Sequence, residues 1–146
     1  MNCHLTYHLR RNVPILLLLP SIFFSTSVAQ SQRMLEPAEL LQNPKFKSLY
    51  LKALGPKSKT PWLARMDGPA PTTRMVTVGG RNYVLAAFCK NHDCGDNNAV
   101  LLYAADRGLL YGTIFERGRT TLIGNPPPAV AVELGKLWKH EWRQQP

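Results

Sequence analysis

The chain has 146 residues, 18 basic against 9 acidic side chains, and a formal net charge of +9 at pH 7. This length suits one domain large enough to bury a core. The sequence has no internal repeat, phosphate-binding glycine loop or heptad run, which excludes repeat proteins, P-loop nucleotide-binding proteins and coiled coils.

Residues 1–29 have the pattern of a secretory signal peptide. The basic pair Arg10-Arg11 precedes an apolar run over residues 13–24, and Ser27-Val28-Ala29 is a small-residue cleavage site. The apolar run has about a dozen residues, fewer than the roughly 20 that span a membrane, although an uncleaved anchor is the alternative. We therefore predict cleavage before Gln30, which leaves residues 30–146 as a single domain.

Export also limits the choice of compartment and partner. The absence of Asn-x-Ser/Thr glycosylation sites fits a bacterial periplasm, and no membrane segment is expected after cleavage. Loss of Arg10 and Arg11 with the leader lowers the net charge to +7. An exported chain does not meet nucleic acid as its physiological partner, so this charge indicates contact with the anionic cell envelope or a solvated surface.

Two helices are predicted, one on each side of a β-rich region. Asn43 is a favourable N-cap, Pro44 suits the first helical position, and Gly55-Pro56 ends the first helix. The second helix follows three prolines at 126–128. Apolar residues recur at helical spacing in both segments: Phe46, Leu49, Tyr50, Ala53 and Leu54 in the first, and Val130, Leu134, Leu137 and Trp138 in the second.

Residues 74–123 have the pattern of an antiparallel β-meander, because apolar runs alternate with short turns. Gly79-Gly80 is a strong hairpin signal, since both positions of such a turn favour positive φ. The predicted strands are residues 74–78, 81–89, 98–104, 109–115 and 120–123. Residues 83–88 are apolar on both faces, as expected of a central strand that helices cover on one side. The predicted fold is α+β, a central antiparallel sheet of about five strands with helices packed on it.

The segment Cys89-Lys90-Asn91-His92-Asp93-Cys94-Gly95 connects the second and third predicted strands. Two cysteines five residues apart in an oxidising compartment indicate a disulfide. The bridge would close a protruding loop and hold Lys90, Asn91, His92 and Asp93 in few conformations before a partner arrives, which lowers the entropic cost of binding.

Four interpretations of this loop stay open on residue chemistry alone. In the first, the disulfide is purely structural. In the second, Cys89, His92 and Cys94 bind zinc, although such a site requires a fourth ligand and a reducing compartment. A reactive cysteine is the third, although four residues separate the cysteines and no helix N-terminus lowers a thiol pKa. The fourth is a rigid peg whose histidine enters the cleft of a partner, with no metal or cofactor.

The loop motif resembles that of the inhibitor of vertebrate lysozyme (Ivy) family of bacterial periplasmic proteins. The likeness runs from about residue 46 to residue 138 and includes the Pro61-Trp62 pair and the Gly79-Gly80 hairpin. The resemblance implies a non-enzymatic inhibitor of chicken-type lysozyme that serves host defence evasion, often as a homodimer. It also implies that the Cys89–Cys94 loop plugs the active-site cleft, with His92 on the catalytic carboxylates and Lys90 and Asp93 as matching neighbours. Asn91 departs from the family, which usually has proline there.

Two further functions stay open. Chicken-type lysozymes are basic, so a chain at +7 meets them slowly. The family resemblance also allows inhibition of the bacterium's own lytic transglycosylases, which cleave peptidoglycan with a catalytic acid. An envelope-binding module is the other class, and it would use the basic helix and its flank for anionic polymer. The lysines concerned are Lys45, Lys47, Lys52, Lys57 and Lys59.

Overall fold

The computed structural model describes residues 34–143, so the predicted signal peptide lies outside the described residues. Five antiparallel strands form one sheet in the order β1-β2-β3-β4-β5, each paired with its neighbour in sequence. The meander is therefore confirmed, with strand ends within one residue of the prediction. The strands are β1 Arg74–Val78, β2 Arg81–Cys89, β3 Asn97–Ala104, β4 Leu109–Glu116 and β5 Arg119–Ile123.

Turn chemistry accounts for the short connections between the strands. Gly79 and Gly80 both have positive φ, 56° and 71°, as a two-residue hairpin requires. Asn125, which precedes the prolines at 126–128, also has positive φ, a conformation that asparagine tolerates better than most residues. Glycine or asparagine thus provides the positive φ at these reversals, whereas at the β4–β5 turn Arg117, before Gly118, also takes a positive φ of 48°.

The first predicted helix is observed as α1, Pro44–Leu54, between two 3₁₀ helices, Pro37–Gln42 and Gly55–Lys59. The Asn43 side chain accepts hydrogen bonds from the amides of Lys45 and Phe46, which satisfies donors that the first turn leaves free. A short helix α2, Pro61–Arg65, follows, and the long helix α3, Pro128–Arg143, is the last described element.

Helices cover both faces of the sheet, so the expectation of cover on one side is wrong. One apolar cluster joins α1 and α2 to Phe88, Leu101 and Tyr103. A second cluster joins α3, through Leu134, to residues of the opposite face such as Leu102. Alternate residues of a strand point to opposite faces, and every residue of β3 is buried, so both faces need cover. The apolar stripe of α3 provides it on the face that α1 and α2 leave open.

The sheet has two distinct ends. The connection between β2 and β3, which holds the cysteines, lies at the same end as the β4–β5 turn, because strands alternate in direction. The β1–β2 and β3–β4 turns lie at the other end. Within residues 34–143, no helix has both the length and the apolar character that crossing a membrane demands.

Candidate functional site: the loop closed by Cys89 and Cys94

The disulfide between Cys89 and Cys94 is present and closes the loop at its base, with the two Cα atoms 4.9 Å apart. Cys89 is the last residue of β2 and is fully buried, so one end of the loop is anchored in the sheet. Because the sulfur atoms are bonded to each other, neither is the thiolate that a zinc site or a reactive cysteine requires.

The tip of the loop is a tight turn over residues 90–93. The Asp93 amide donates to the Lys90 carbonyl oxygen at 3.0 Å. His92, the third residue of the turn, has a φ of 60°, and Asn91 before it is not among the residues with positive φ. These are the signs of a type II turn, in which the second position favours proline. Asn91 and His92 are both exposed, so the turn presents their side chains to solvent.

The Asp93 carboxylate holds the two strands of the loop together. Its Oδ2 accepts hydrogen bonds from Lys90 Nζ at 2.9 Å and from Asn97 Nδ2 at 2.7 Å. The hydrogen bond from Lys90 is the main cause of a lowered pKa of Asp93; the bond from Asn97 and the charge of Arg117 act in the same direction, against partial desolvation. Lys90 and Asp93 therefore bind each other inside the loop.

The remaining half of the loop is held by donors from three different elements. Three consecutive carbonyl oxygens each accept a hydrogen bond from outside the turn. The donors are Asn98 Nδ2 on β3 to Cys94 at 2.7 Å, Arg143 Nη2 on α3 to Gly95 at 3.2 Å, and the Arg117 amide after β4 to Asp96 at 2.7 Å. This backbone is thus tied to the rest of the domain as well as to the disulfide.

The backbone hydrogen bonds of the loop involve the residues on both sides of the tip. The Lys90 amide donates to Asn97 O at 2.9 Å, and the Asn97 amide donates to Asp93 O at 2.9 Å. In the part of the chain that the structure describes, the carbonyl oxygens of Asn91 and His92 accept no hydrogen bond. The exposed tip therefore has free hydrogen-bonding capacity for a partner.

A close backbone approach at Gly68 supports the base of the loop. A Cβ atom on Gly68 would lie 1.6 Å from the Cys89 carbonyl oxygen, a distance that no side chain tolerates. The carbonyl oxygen of the next residue, Pro69, accepts a hydrogen bond from the Cys89 amide at 3.2 Å. Residues 68–69 thus lie against the end of β2, and only glycine fits at position 68.

Sequence reasoning located the loop but missed the residues that hold it. Asn97 and Asn98 are buried, although they begin an otherwise apolar strand. The available signal in the sequence was a pair of asparagines at the start of an apolar strand, because polar side chains that become buried are nearly always hydrogen-bonded. Gly68 and Arg143 carried no local signal, since their partners lie 21 and 48 residues away in sequence.

The lysines of the proposed envelope-binding surface do not form one face. Lys45 and Lys52, seven residues apart, lie on the same flank of α1, and Lys47 lies on the other flank of the buried stripe. Lys57 forms an ion pair with Glu116 at the loop end of the sheet. The positive charge is therefore spread over the domain surface, and this weakens the case for a polymer-binding patch.

The comparisons with known proteins agree with this loop-bearing fold. The family model described as "Inhibitor of vertebrate lysozyme (Ivy)" matches residues 49–144, which include the whole loop and the sheet. The chain is 30% identical over 119 residues to a Pseudomonas aeruginosa protein named "Inhibitor of vertebrate lysozyme", covering 81% of this chain and 74% of that protein. It is 29% identical over 94 residues to an uncharacterised protein of Yersinia pestis, covering 64% of this chain and 59% of that protein. The chain belongs to the inhibitor of vertebrate lysozyme (Ivy) family.

Proposed function

We propose that this chain inhibits chicken-type lysozyme by inserting the Cys89–Cys94 loop into the active-site cleft of the enzyme, with His92 as the principal contact. The observation that carries the proposal is the exposed tip, where, within residues 34–143, the carbonyl oxygens of Asn91 and His92 accept no hydrogen bond, whereas the loop on either side is bonded to itself and to the domain. Family membership supports lysozyme as the target.

The chemistry of the cleft suits an imidazole. A lysozyme cleft has two carboxyl groups, one kept protonated as the general acid and one ionised. An imidazole has two ring nitrogens and can hydrogen-bond both carboxyl groups at once. Bonds to an ionised carboxylate are charge-assisted and therefore stronger than neutral ones. Inhibition of this kind needs no catalytic group on the inhibitor, because occupation of the cleft excludes substrate.

The roles of the other loop residues follow from their contacts. Lys90 and Asp93 bind each other, so they act mainly by shaping the loop. Asn91 precedes the histidine in the turn and is exposed, which leaves its amide side chain available to the rim of the cleft. Cys89 and Cys94 restrict the whole segment before it meets the enzyme.

The decisive variant is His92→Asn, measured as the inhibition constant in a cell-wall turbidity assay with residues 30–146 and a chicken-type lysozyme. Asparagine tolerates the positive φ of this position better than alanine, so the change removes the imidazole without straining the turn. Truncation of a central, desolvated contact costs about 2 kcal/mol or more, so we expect roughly 30-fold weaker inhibition.

The matched control is Arg81→Ala, an exposed residue beside the hairpin at the far end of the sheet, which leaves inhibition unchanged. If wild type inhibits and His92→Asn inhibits equally well, the contact surface lies elsewhere and the proposed mechanism is wrong. If wild type does not inhibit, lysozyme is not the target, and lytic transglycosylases become the enzymes to assay.

We further propose that the chain acts in the periplasm after cleavage before Gln30, where it protects the bacterium against host lysozyme and forms a homodimer. The signal-peptide pattern supports export, and the family resemblance supports both the protective role and the dimer. Mass spectrometry of the protein from the periplasmic fraction tests the export and cleavage, and light scattering tests the homodimer. A mature chain that begins upstream of residue 30, or a monomer at micromolar concentration, would contradict the respective part.

A further inference from the structure

Asn98 links the C-terminal helix to the loop. Its side chain is fully buried on β3, next to Cys89 in the adjacent strand. Asn98 Nδ2 donates to the Cys94 carbonyl oxygen at 2.7 Å, and Asn98 Oδ1 accepts the Trp138 indole N–H at 2.6 Å. If the amide were flipped, its oxygen would face the Cys94 carbonyl oxygen and its NH₂ group would face the Trp138 N–H. These two partners therefore determine the orientation of the amide.

Trp138 and Arg143 form the α3 side of this contact. The Trp138 ring packs against Phe115 at 5.1 Å between centroids. The Arg143 guanidinium lies over both rings, 4.9 Å from the Trp138 centroid and 4.8 Å from the Phe115 centroid. From this position Arg143 donates to the Gly95 carbonyl oxygen. Two residues of α3 thus act on two consecutive loop carbonyls, one directly and one through Asn98.

These contacts hold the carbonyls of Cys94 and Gly95, which follow the turn at residues 90–93 in the chain. Because this segment connects the turn to β3, its conformation sets the direction in which the turn projects from the sheet. A loop whose conformation is set before binding loses less entropy in the complex. The disulfide restrains the distance between Cys89 and Cys94 but does not by itself fix the carbonyls between Cys94 and Asn97.

We propose that Asn98, Trp138 and Arg143 are positioning residues of the inhibitory loop, through which helix α3 sets the place of His92 without touching the enzyme. This inference rests on the proposed function for its effect on inhibition. The restraint on the loop is a property of the free protein and is measurable without lysozyme.

The test compares Trp138→Phe with Trp142→Phe in residues 30–146. Phenylalanine at 138 keeps an aromatic ring against Phe115 but removes the N–H that Asn98 accepts, which leaves a buried oxygen unpaired. Trp142 lies one turn further on the same helix, and within residues 34–143 its indole nitrogen has no hydrogen-bond partner. Trp142 lines the same groove as Cys94 and Gly95, so the control removes the same atom from the same residue type beside the loop without breaking a hydrogen bond.

Two measurements are made on each variant, the inhibition constant and the hydrogen exchange of the Asn97 and Arg117 amides, which bond to Asp93 and Asp96. For Trp138→Phe we expect about tenfold weaker inhibition and about tenfold faster exchange at both amides, with residues 100–102 in β3 unchanged. For Trp142→Phe both quantities stay within about twofold of wild type. Equal exchange at these amides in the two variants would overturn the proposal.

A second pair of variants covers the case in which Trp138→Phe does not fold. Arg143→Met keeps an unbranched chain over the rings and removes the donor to Gly95, and Lys139→Met removes one exposed positive charge from the same helix. We expect about threefold faster exchange at Asn97 and about threefold weaker inhibition for Arg143→Met alone. No difference between these two variants would also refute the positioning role. Failure of wild type to inhibit would remove the proposed function, and the exchange data would still decide the restraint.

Discussion

At the scale of single residues, the shape of the loop tip depends on the backbone conformations of Asn91 and His92. His92 takes positive φ, and Asn91 precedes it in a turn whose second position favours proline. In the described structure the Asn91 amide donates no hydrogen bond, so a proline ring would cost no donor there. We therefore expect that proline would fit the Asn91 position and make the loop more rigid.

Asn91→Pro is expected to strengthen inhibition by about two- to fivefold. A proline that fits the native backbone stabilises by roughly 0.4–1 kcal/mol, because it reduces the freedom of the unbound chain. The inhibition constant and the thermal midpoint measure the effect. Asn91→Ala is the control, since it removes the same amide without adding a ring, and a gain of equal size in both variants would count against restraint by the ring.

Asp93 makes the loop sensitive to acid. Its pKa in the folded protein is lowered from 3.8, chiefly by the hydrogen bond from Lys90, so the ionised carboxylate stabilises the fold. That contribution is complete at pH values well above 3.8 and is lost as the pH falls through the lowered pKa, because the folded state must then take up a proton.

The corresponding prediction compares wild type with Asp93→Asn in thermal melts from neutral to acidic pH. Wild type is the more stable protein at neutral pH, and the difference shrinks toward zero as the pH falls below about 3.8. A difference that stayed constant across this range would show that the carboxylate charge contributes nothing to the loop.

At the scale of elements, sequence patterns placed helices and strands well because their signals are local. Asn43, Pro44 and Gly55 set the ends of α1 through caps that involve residues within four positions. The hairpin at Gly79 and Gly80 follows from backbone freedom alone. The support beneath the loop is different, because Gly68 meets Cys89 only after the chain has folded.

Gly68→Ala and Gly135→Ala are expected to change stability in opposite directions. The Cβ at position 68 meets backbone that cannot move freely, so we expect a loss of about 1–3 kcal/mol and weaker inhibition, since the base of the loop shifts. A Cβ on Gly135 within α3 meets nothing within 4 Å, so alanine there stabilises by about 0.5–1 kcal/mol. Urea unfolding measures both, and equal effects would contradict the contact at Gly68.

At the scale of the whole molecule, the arrangement of charge affects how the inhibitor meets its enzyme. The predicted mature chain carries +7, and the exposed lysines of α1 have no counterpart of opposite charge nearby in sequence. Lys52 lines a groove with Gly108 and Gly124, which places it at the end of the sheet away from the loop. Repulsion from a basic lysozyme therefore acts over a distance that salt screens, about 8 Å at physiological ionic strength.

We accordingly expect the association rate with lysozyme to rise between about 20 mM and about 150 mM salt, because screening weakens the repulsion of two positive proteins. Lys52→Glu raises the rate at low salt and leaves the dissociation rate unchanged, since the residue lies outside the proposed contact. Stopped-flow binding measures both rates. An association rate that falls with salt would indicate that the loop face attracts the enzyme electrostatically.

The sequence by itself determined the five strands and their order, helices α1 and α3, and the place and closure of the loop. These features can be predicted without the structure because each depends on residues a few positions apart in sequence: helix caps, turns, alternating apolar residues and the pair of cysteines. Only the tertiary structure decided that α3 covers the second face of the sheet, that Asn98 joins Trp138 to Cys94, and that Gly68 lies against Cys89. Gly68 and Cys89 are 21 positions apart and Asn98 and Trp138 are 40 apart, so no local pattern specifies these contacts.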